Sequence, residues 1–141
     1  TPDFVNVAVE TTEGTFLCFR QYKYAVGETL AVVGGYIEAG EEPLATAKRE
    51  LLEETGHQAT QWVDLGSYAL GGNRGIATGY LFLAREARPV QEPDADDLEE
   101  QHLLWLSRDE VAAALAEGKF RTVTWAATMA LALQHLPPRD V

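Results

Sequence analysis

The sequence has 141 residues, enough for one domain with a buried core. Hydrophobic residues make up 46% of it and charged residues 23%, the profile of a soluble globular chain, and no apolar run is long enough to span a membrane. A net charge of -11 argues against a nucleic-acid polymer as partner, and it requires a cation between this protein and any anionic substrate.

The predicted elements follow in chain order. Residues 4–9 alternate, with Val5, Val7 and Val9 on one side, as a half-buried strand does. Thr11, Thr12, Glu13 and Gly14 form a hairpin turn, and residues 15–22 return as a second strand. Cys18 on that strand is the single cysteine, so no internal disulfide forms and a reducing cytoplasm is the expected location. Residues 30–33 are a short apolar strand running into Gly34 and Gly35. A helix is expected over residues 42–55, with Pro43 at its first position and Gly56 just past its end. Strands follow at residues 62–70 and 77–84, joined by the Gly-rich loop 71–75. Residues 88–100 are acidic and hold two prolines, so they read as a loop before a strand over residues 102–106. Ser107 and Glu110 form a capping box for a helix reaching Ala116, and a last helix covers residues 122–135. Strands and helices mix irregularly, which predicts a mixed sheet with helices on both faces in an α/β (α+β) chain.

The helix over residues 42–55 carries the chemistry. Glu50, Glu53 and Glu54 are spaced i, i+3 and i+4, so they share one face, while Leu44, Ala47 and Leu51 lie on another. Like charges at this spacing repel, and the last turns of a helix disfavour negative charge by about 0.3–1 kcal/mol per group. Arg49 offsets part of this as the i, i+4 partner of Glu53. A divalent cation would offset more, since hard cations prefer carboxylate oxygens. For three glutamates alone, a solvated acidic face is the plainer reading. The wider pattern changes the balance.

Gly35, Glu41, Arg49, Glu50, Leu51, Glu53, Glu54 and Gly56 fall at the spacing of the Nudix box, which this segment resembles. His57 stands where the box has an aliphatic residue. The resemblance covers roughly residues 4–135. The arginine-containing segment 19–24 and the pair of C-terminal helices look like the ADP-ribose pyrophosphatase branch of the Nudix hydrolases. The resemblance implies a single Nudix-type α/β/α sandwich domain and metal-dependent cleavage of a nucleoside diphosphate linked to another group. For ADP-ribose or a similar nucleotide sugar, the products would be a nucleoside monophosphate and a sugar phosphate.

Roles follow position by position from the same resemblance. Glu50 and Glu54 are implied as ligands of Mg²⁺ (or Mn²⁺), joined by the Gly34 carbonyl. Glu53 is a shared ligand or the base acting on water, Arg49 orients the cluster, and Glu41 ties the loop to the helix. In the acidic loop, Glu99 matches a metal-binding glutamate and Asp97 a catalytic acid, with Asp96 and Glu100 close enough to displace either. Arg20, Tyr22, Lys23 and Gly35 are candidate substrate contacts, the first three equally readable as edge-strand surface residues. The implied partners are a small nucleotide substrate and a second copy in a homodimer, with no nucleic-acid polymer and no membrane.

Two other readings stay open. One is a Nudix hydrolase of nucleoside triphosphates or dinucleoside polyphosphates, and the other is a Nudix-like nucleotide-binding or regulatory domain without turnover. Other motifs fail on spacing. The acidic run from Asp94 lacks the glycine of a calcium loop, the 71–75 glycines fit no P-loop, and His57, His102 and His135 have no zinc spacing.

Overall fold

The computed structural model describes residues 2–94 and 101–138. Its strands are β1 (Phe4–Thr11), β2 (Phe16–Lys23), β3 (Gly27–Ala31), β4 (Val33–Tyr36), β5 (His57–Gln58), β6 (Gln61–Leu70), β7 (Ala77–Pro89) and β8 (Gln101–Leu106). Its helices are α1 (Pro43–Thr55), α2 (Arg108–Ala116) and α3 (Val123–His135). No helix among the described residues is long and apolar enough to cross a membrane.

Strand β1 organises the sheet. Along one edge it pairs in parallel with β7, from Phe4 opposite Gly79 to Val9 opposite Ala84. Its other edge is divided between two antiparallel partners. Residues Phe4 to Val7 face β4, and Val9 and Glu10 face β2. Strand β2 also pairs with β3 and β8, and β7 with β5 and β6, all antiparallel. The sheet is therefore mixed, as the irregular order of elements predicts.

Side chains of period two send alternate residues to opposite faces, and two cores result. Val5, Val7, Val9, Leu17, Phe19, Phe82 and Ala84 pack on one face with Ala47 and Leu51 of α1. Ala8, Phe16, Cys18, Leu81 and Leu83 pack on the other with Val111 and Ala114 of α2 and Met129 and Ala132 of α3. The product is an α/β/α sandwich.

Helix α1 begins with Pro43 in its first turn and ends at Gly56, whose φ of 69° is left-handed and whose N–H donates to the Leu52 carbonyl. Its buried stripe is Thr46, Ala47, Leu51 and Thr55. Leu44, expected on that face, is instead exposed, because the stripe runs along the i, i+4 row through Ala47 and Leu51. At α2 the Ser107 hydroxyl accepts from the Glu110 N–H and the Glu110 carboxylate accepts from the Ser107 N–H, the capping box read from sequence. The apolar run expected as one strand over residues 30–33 is two strands. Ala31 still pairs with Phe19 of β2, whereas Val33 pairs with Val7 of β1. The break at Val32 is a change of partner, which hydropathy does not register. Strand β7 also runs on to Pro89, past the expected stop at Ala84, and the two-residue β5 beside it has no counterpart in the predicted elements.

Candidate active site

Arg49 is the hub of the glutamate cluster. Its Nε and Nη2 donate to the two oxygens of Glu41 at 2.8 and 3.0 Å, a bidentate fork. Its Nη1 donates to Glu50 Oε1 at 2.7 Å and to Glu53 Oε2 at 3.2 Å. Glu41 lies in the loop before α1 and also accepts from the Thr46 hydroxyl at 2.6 Å and the Glu38 N–H at 3.2 Å. The loop is thereby tied to the helix. The Arg49 hydrogen bonds, helped by Thr46, hold the Glu41 carboxyl down to about 2 and push the arginine up. Glu50 behaves differently. Burial raises its pKa, the guanidinium opposes that, and Glu53 and Glu41 add to it. One guanidinium thus faces four carboxylates, Glu38 at 3.7 Å being the most distant, and the cluster keeps an excess of negative charge.

The glycines before α1 explain how the carboxylates approach the sheet. A Cβ on Gly35 would stand 2.5 Å from the carboxyl carbon of Glu50, so only glycine lets that group lie against the β4 backbone. The Gly34 N–H donates to Glu54 Oε2 at 3.2 Å. Within a strand a residue's N–H and C=O share an edge, so the Gly34 carbonyl lies on the Glu54 side as well. At the far end of α1, Gly56 is packed against the Gln91 carbonyl, and its own carbonyl accepts from Val90 and Gln91. The Asp94 N–H then donates to the Glu53 carbonyl at 2.8 Å, bringing the chain to the last turn of α1. Asp97 and Glu99, with Asp96 and Glu100, lie outside the described residues. His57, the departure from the motif, is buried, with Nδ1 2.8 Å from the Thr55 carbonyl.

Beside these residues is a cleft of about 450 Å³ that includes Gly34, Gly35, Tyr36 and Glu54 along with Asn6, Gln21, Lys23, Gln101, Thr122, Thr124 and Trp125. Of the candidate substrate contacts, Lys23 and Gly35 line it. Arg20 and Tyr22 do not. Alternation on β2 turns them to the opposite face, where Arg20 stands 3.9 Å from Glu28 and Tyr22 is exposed. The same alternation brings Gln21 into the cleft, a residue that sequence reasoning passed over. Asn6 and Thr46 were also missed. Asn6 carries a readable signal, a polar residue inside the apolar run of β1.

The chemistry of this arrangement is that of hard oxygen donors beside an open cleft. Among the described residues no three carboxylates, histidines or cysteines stand close enough to enclose an ion alone. Mg²⁺ is held through one or two carboxylates together with water and substrate phosphates rather than by an all-protein cage. Glu50, its side chain largely buried and its negative charge incompletely offset, and Glu54, on the cleft, fit such a set.

The chain is similar in sequence and in fold to several known proteins. The sequence model of the NUDIX domain matches residues 2–126. The chain is 30% identical over 140 residues to "ADP-ribose pyrophosphatase" of Bacillus subtilis (strain 168), covering 99% of this chain and 74% of that protein. It is 29% identical over 118 residues to "Methanol dehydrogenase activator" of Bacillus methanolicus, covering 82% of this chain and 64% of that protein. Among solved structures, an "ADP compounds hydrolase" superposes with a TM-score of 0.81 at 18% identity, covering 94% of this chain and 71% of the other.

Proposed function

The chain belongs to the Nudix hydrolase family, and on that premise we propose that it cleaves the pyrophosphate of a nucleoside diphosphate linked to a second group. The substrate is ADP-ribose or another nucleotide sugar, and the products are a nucleoside monophosphate and a sugar phosphate. The observation that carries the reading is the Arg49-organised carboxylate cluster, with Glu50 against Gly35 and Glu54 on an open cleft. Similarity to an ADP-ribose pyrophosphatase along nearly the whole chain supports the choice of substrate.

Glu50 and Glu54 would hold Mg²⁺ (or Mn²⁺) together with the Gly34 carbonyl, water and substrate phosphate oxygens. When bound, the ion neutralises phosphate charge and makes a coordinated water more acidic. Glu53, half-exposed beside Arg49, takes the proton as water attacks one phosphorus and the P–O bond to the other phosphate breaks. Arg49 keeps Glu50 and Glu53 in place, and Lys23 adds a positive charge to the cleft wall. The reading extends to a homodimer in the cytoplasm. A sedimentation coefficient of a monomer would remove the dimer from it without touching the chemistry.

The test is a hydrolysis screen over ADP-ribose, other nucleotide sugars, dinucleoside polyphosphates and nucleoside triphosphates, with products identified by chromatography. EDTA abolishes turnover and Mg²⁺ or Mn²⁺ restores it. Glu53→Gln and Glu54→Gln each lower kcat by about a hundredfold or more, with unchanged melting temperature. Activity that survives thorough chelation, or near-normal turnover in both variants, would sink the mechanism.

A further inference from the structure

Asn6 on β1 and Gln21 on β2 are 5% and 8% exposed, so each is more than nine-tenths buried, and both line the cleft beside Glu54 and Gly35. Their nitrogens are engaged. Asn6 Nδ2 donates to the Val5 carbonyl at 2.9 Å, and Gln21 Nε2 donates to Gln101 Oε1 at 3.3 Å. The Val5 contact identifies which Asn6 amide atom is the nitrogen, because an oxygen turned toward that carbonyl would be repelled. Their oxygens, Asn6 Oδ1 and Gln21 Oε1, find no donor among the described residues. Buried acceptors without donors are destabilising, and an apolar side chain of similar size would remove the cost at either position.

The same cleft includes the partly buried ring of Trp125 and the apolar side chains of Phe4 and Leu70. Two acceptors beside a flat apolar wall match a ligand that is itself flat and offers N–H groups from its edge. We propose that Asn6 and Gln21 determine base specificity, reading the exocyclic amino group of the substrate's nucleobase through their side-chain oxygens with Trp125 along the cleft wall. The terminal torsions of Asn and Gln have broad wells, so an entering amino group draws the covered oxygens toward itself by rotations small enough to leave the Val5 and Gln101 contacts in place. This inference rests on the cleft being the substrate site of the proposed hydrolysis. Ribose hydroxyls offer similar donors, and the test separates the two.

The experiment measures calorimetric binding of AMP, GMP, IMP and 2′,3′-dideoxy-AMP, in Mg²⁺, to the wild-type chain and to Asn6→Ala and Gln21→Met. IMP carries an oxygen where AMP carries its amino group, and lacks the amino group of GMP. AMP or GMP binds the wild type at least about tenfold more tightly than IMP. Each variant reduces that preference severalfold. Gln21→Met melts at or above the wild-type temperature, since it removes an unsatisfied buried acceptor. Dideoxy-AMP binds as AMP does. Equal affinity for all four nucleotides, no binding of any, or a preference undiminished in Gln21→Met overturns the proposal, and that variant decides if Asn6→Ala fails to fold. Loss of affinity for dideoxy-AMP with IMP bound as tightly as AMP also overturns it, assigning the acceptors to ribose. Hydrolysis that proceeds without amino-group discrimination ends this inference alone, whereas an amino-group preference without hydrolysis ends the proposed activity alone.

Discussion

Arg49 is partly buried among carboxylates that would repel one another without it. A lysine there keeps the charge but has a single ammonium, which cannot reproduce the planar fork to Glu41 while reaching Glu50 and Glu53. Arg49→Lys is expected to reduce turnover by ~10–100-fold, the usual consequence of releasing groups that orient metal ligands, and to lower the melting temperature. Steady-state kinetics beside thermal denaturation tests both, and wild-type turnover in the lysine variant would show that the fork is dispensable. Spacing at i, i+3 and i+4 put the glutamates on one helix face but alone favoured a solvated surface, and the longer match to the Nudix box, from Gly35 to Gly56, singled these residues out. Gln21 was not legible in the sequence, and Asn6 showed only as a polar residue inside an apolar run. Each becomes a cleft residue only through the alternation of its own strand and the pairing of β1 with β4 and of β2 with β8, which no local spacing encodes.

At the scale of elements, the helices were readable and the strands only in part. Pro43, Gly56, Ser107 and Glu110 are chemical punctuation, and each ends or begins a helix where it is expected. The breaks around β3, β4 and β5 depend on which strand the chain meets next. The α2 cap gives a measurable consequence. Ser107→Ala removes the acceptor of the Glu110 N–H and should cost about 0.5–2 kcal/mol in urea unfolding at neutral pH. The Ser107 backbone N–H, with its hydroxyl, holds the Glu110 carboxyl below its ordinary value of 4.5. Its contribution is therefore full above that pH and fades as the pH falls through the lowered value of the folded state. Glu110→Gln should flatten the acid limb of the stability curve, and parallel limbs for the variant and the wild type would count against this linkage.

For the whole molecule, the two cores meet at one sheet, and Cys18 lies fully inside one of them. Burial pushes its thiol up to about 12, so it is neither accessible nor ionised at neutral pH. Labelling by an aromatic disulfide should be negligible in native buffer and should accelerate with urea in step with global unfolding. Prompt native labelling would mean that the face covered by α2 and α3 opens independently of the rest.

The divided edge of β1 bears on how the chain is made. All the cluster glutamates, and the glycines they lean on, belong to the segment that leaves the ribosome before Ala77, where the parallel partner of β1 begins. Until that partner arrives, Val5, Val7 and Val9 sit on a strand with one bare edge, and the platform under α1 is incomplete. Pairing across so long a stretch of chain is slow compared with helix formation. A nascent chain can therefore carry every described glutamate of the cluster without yet holding them in working order, and functional maturation waits on a strand that contributes none of them.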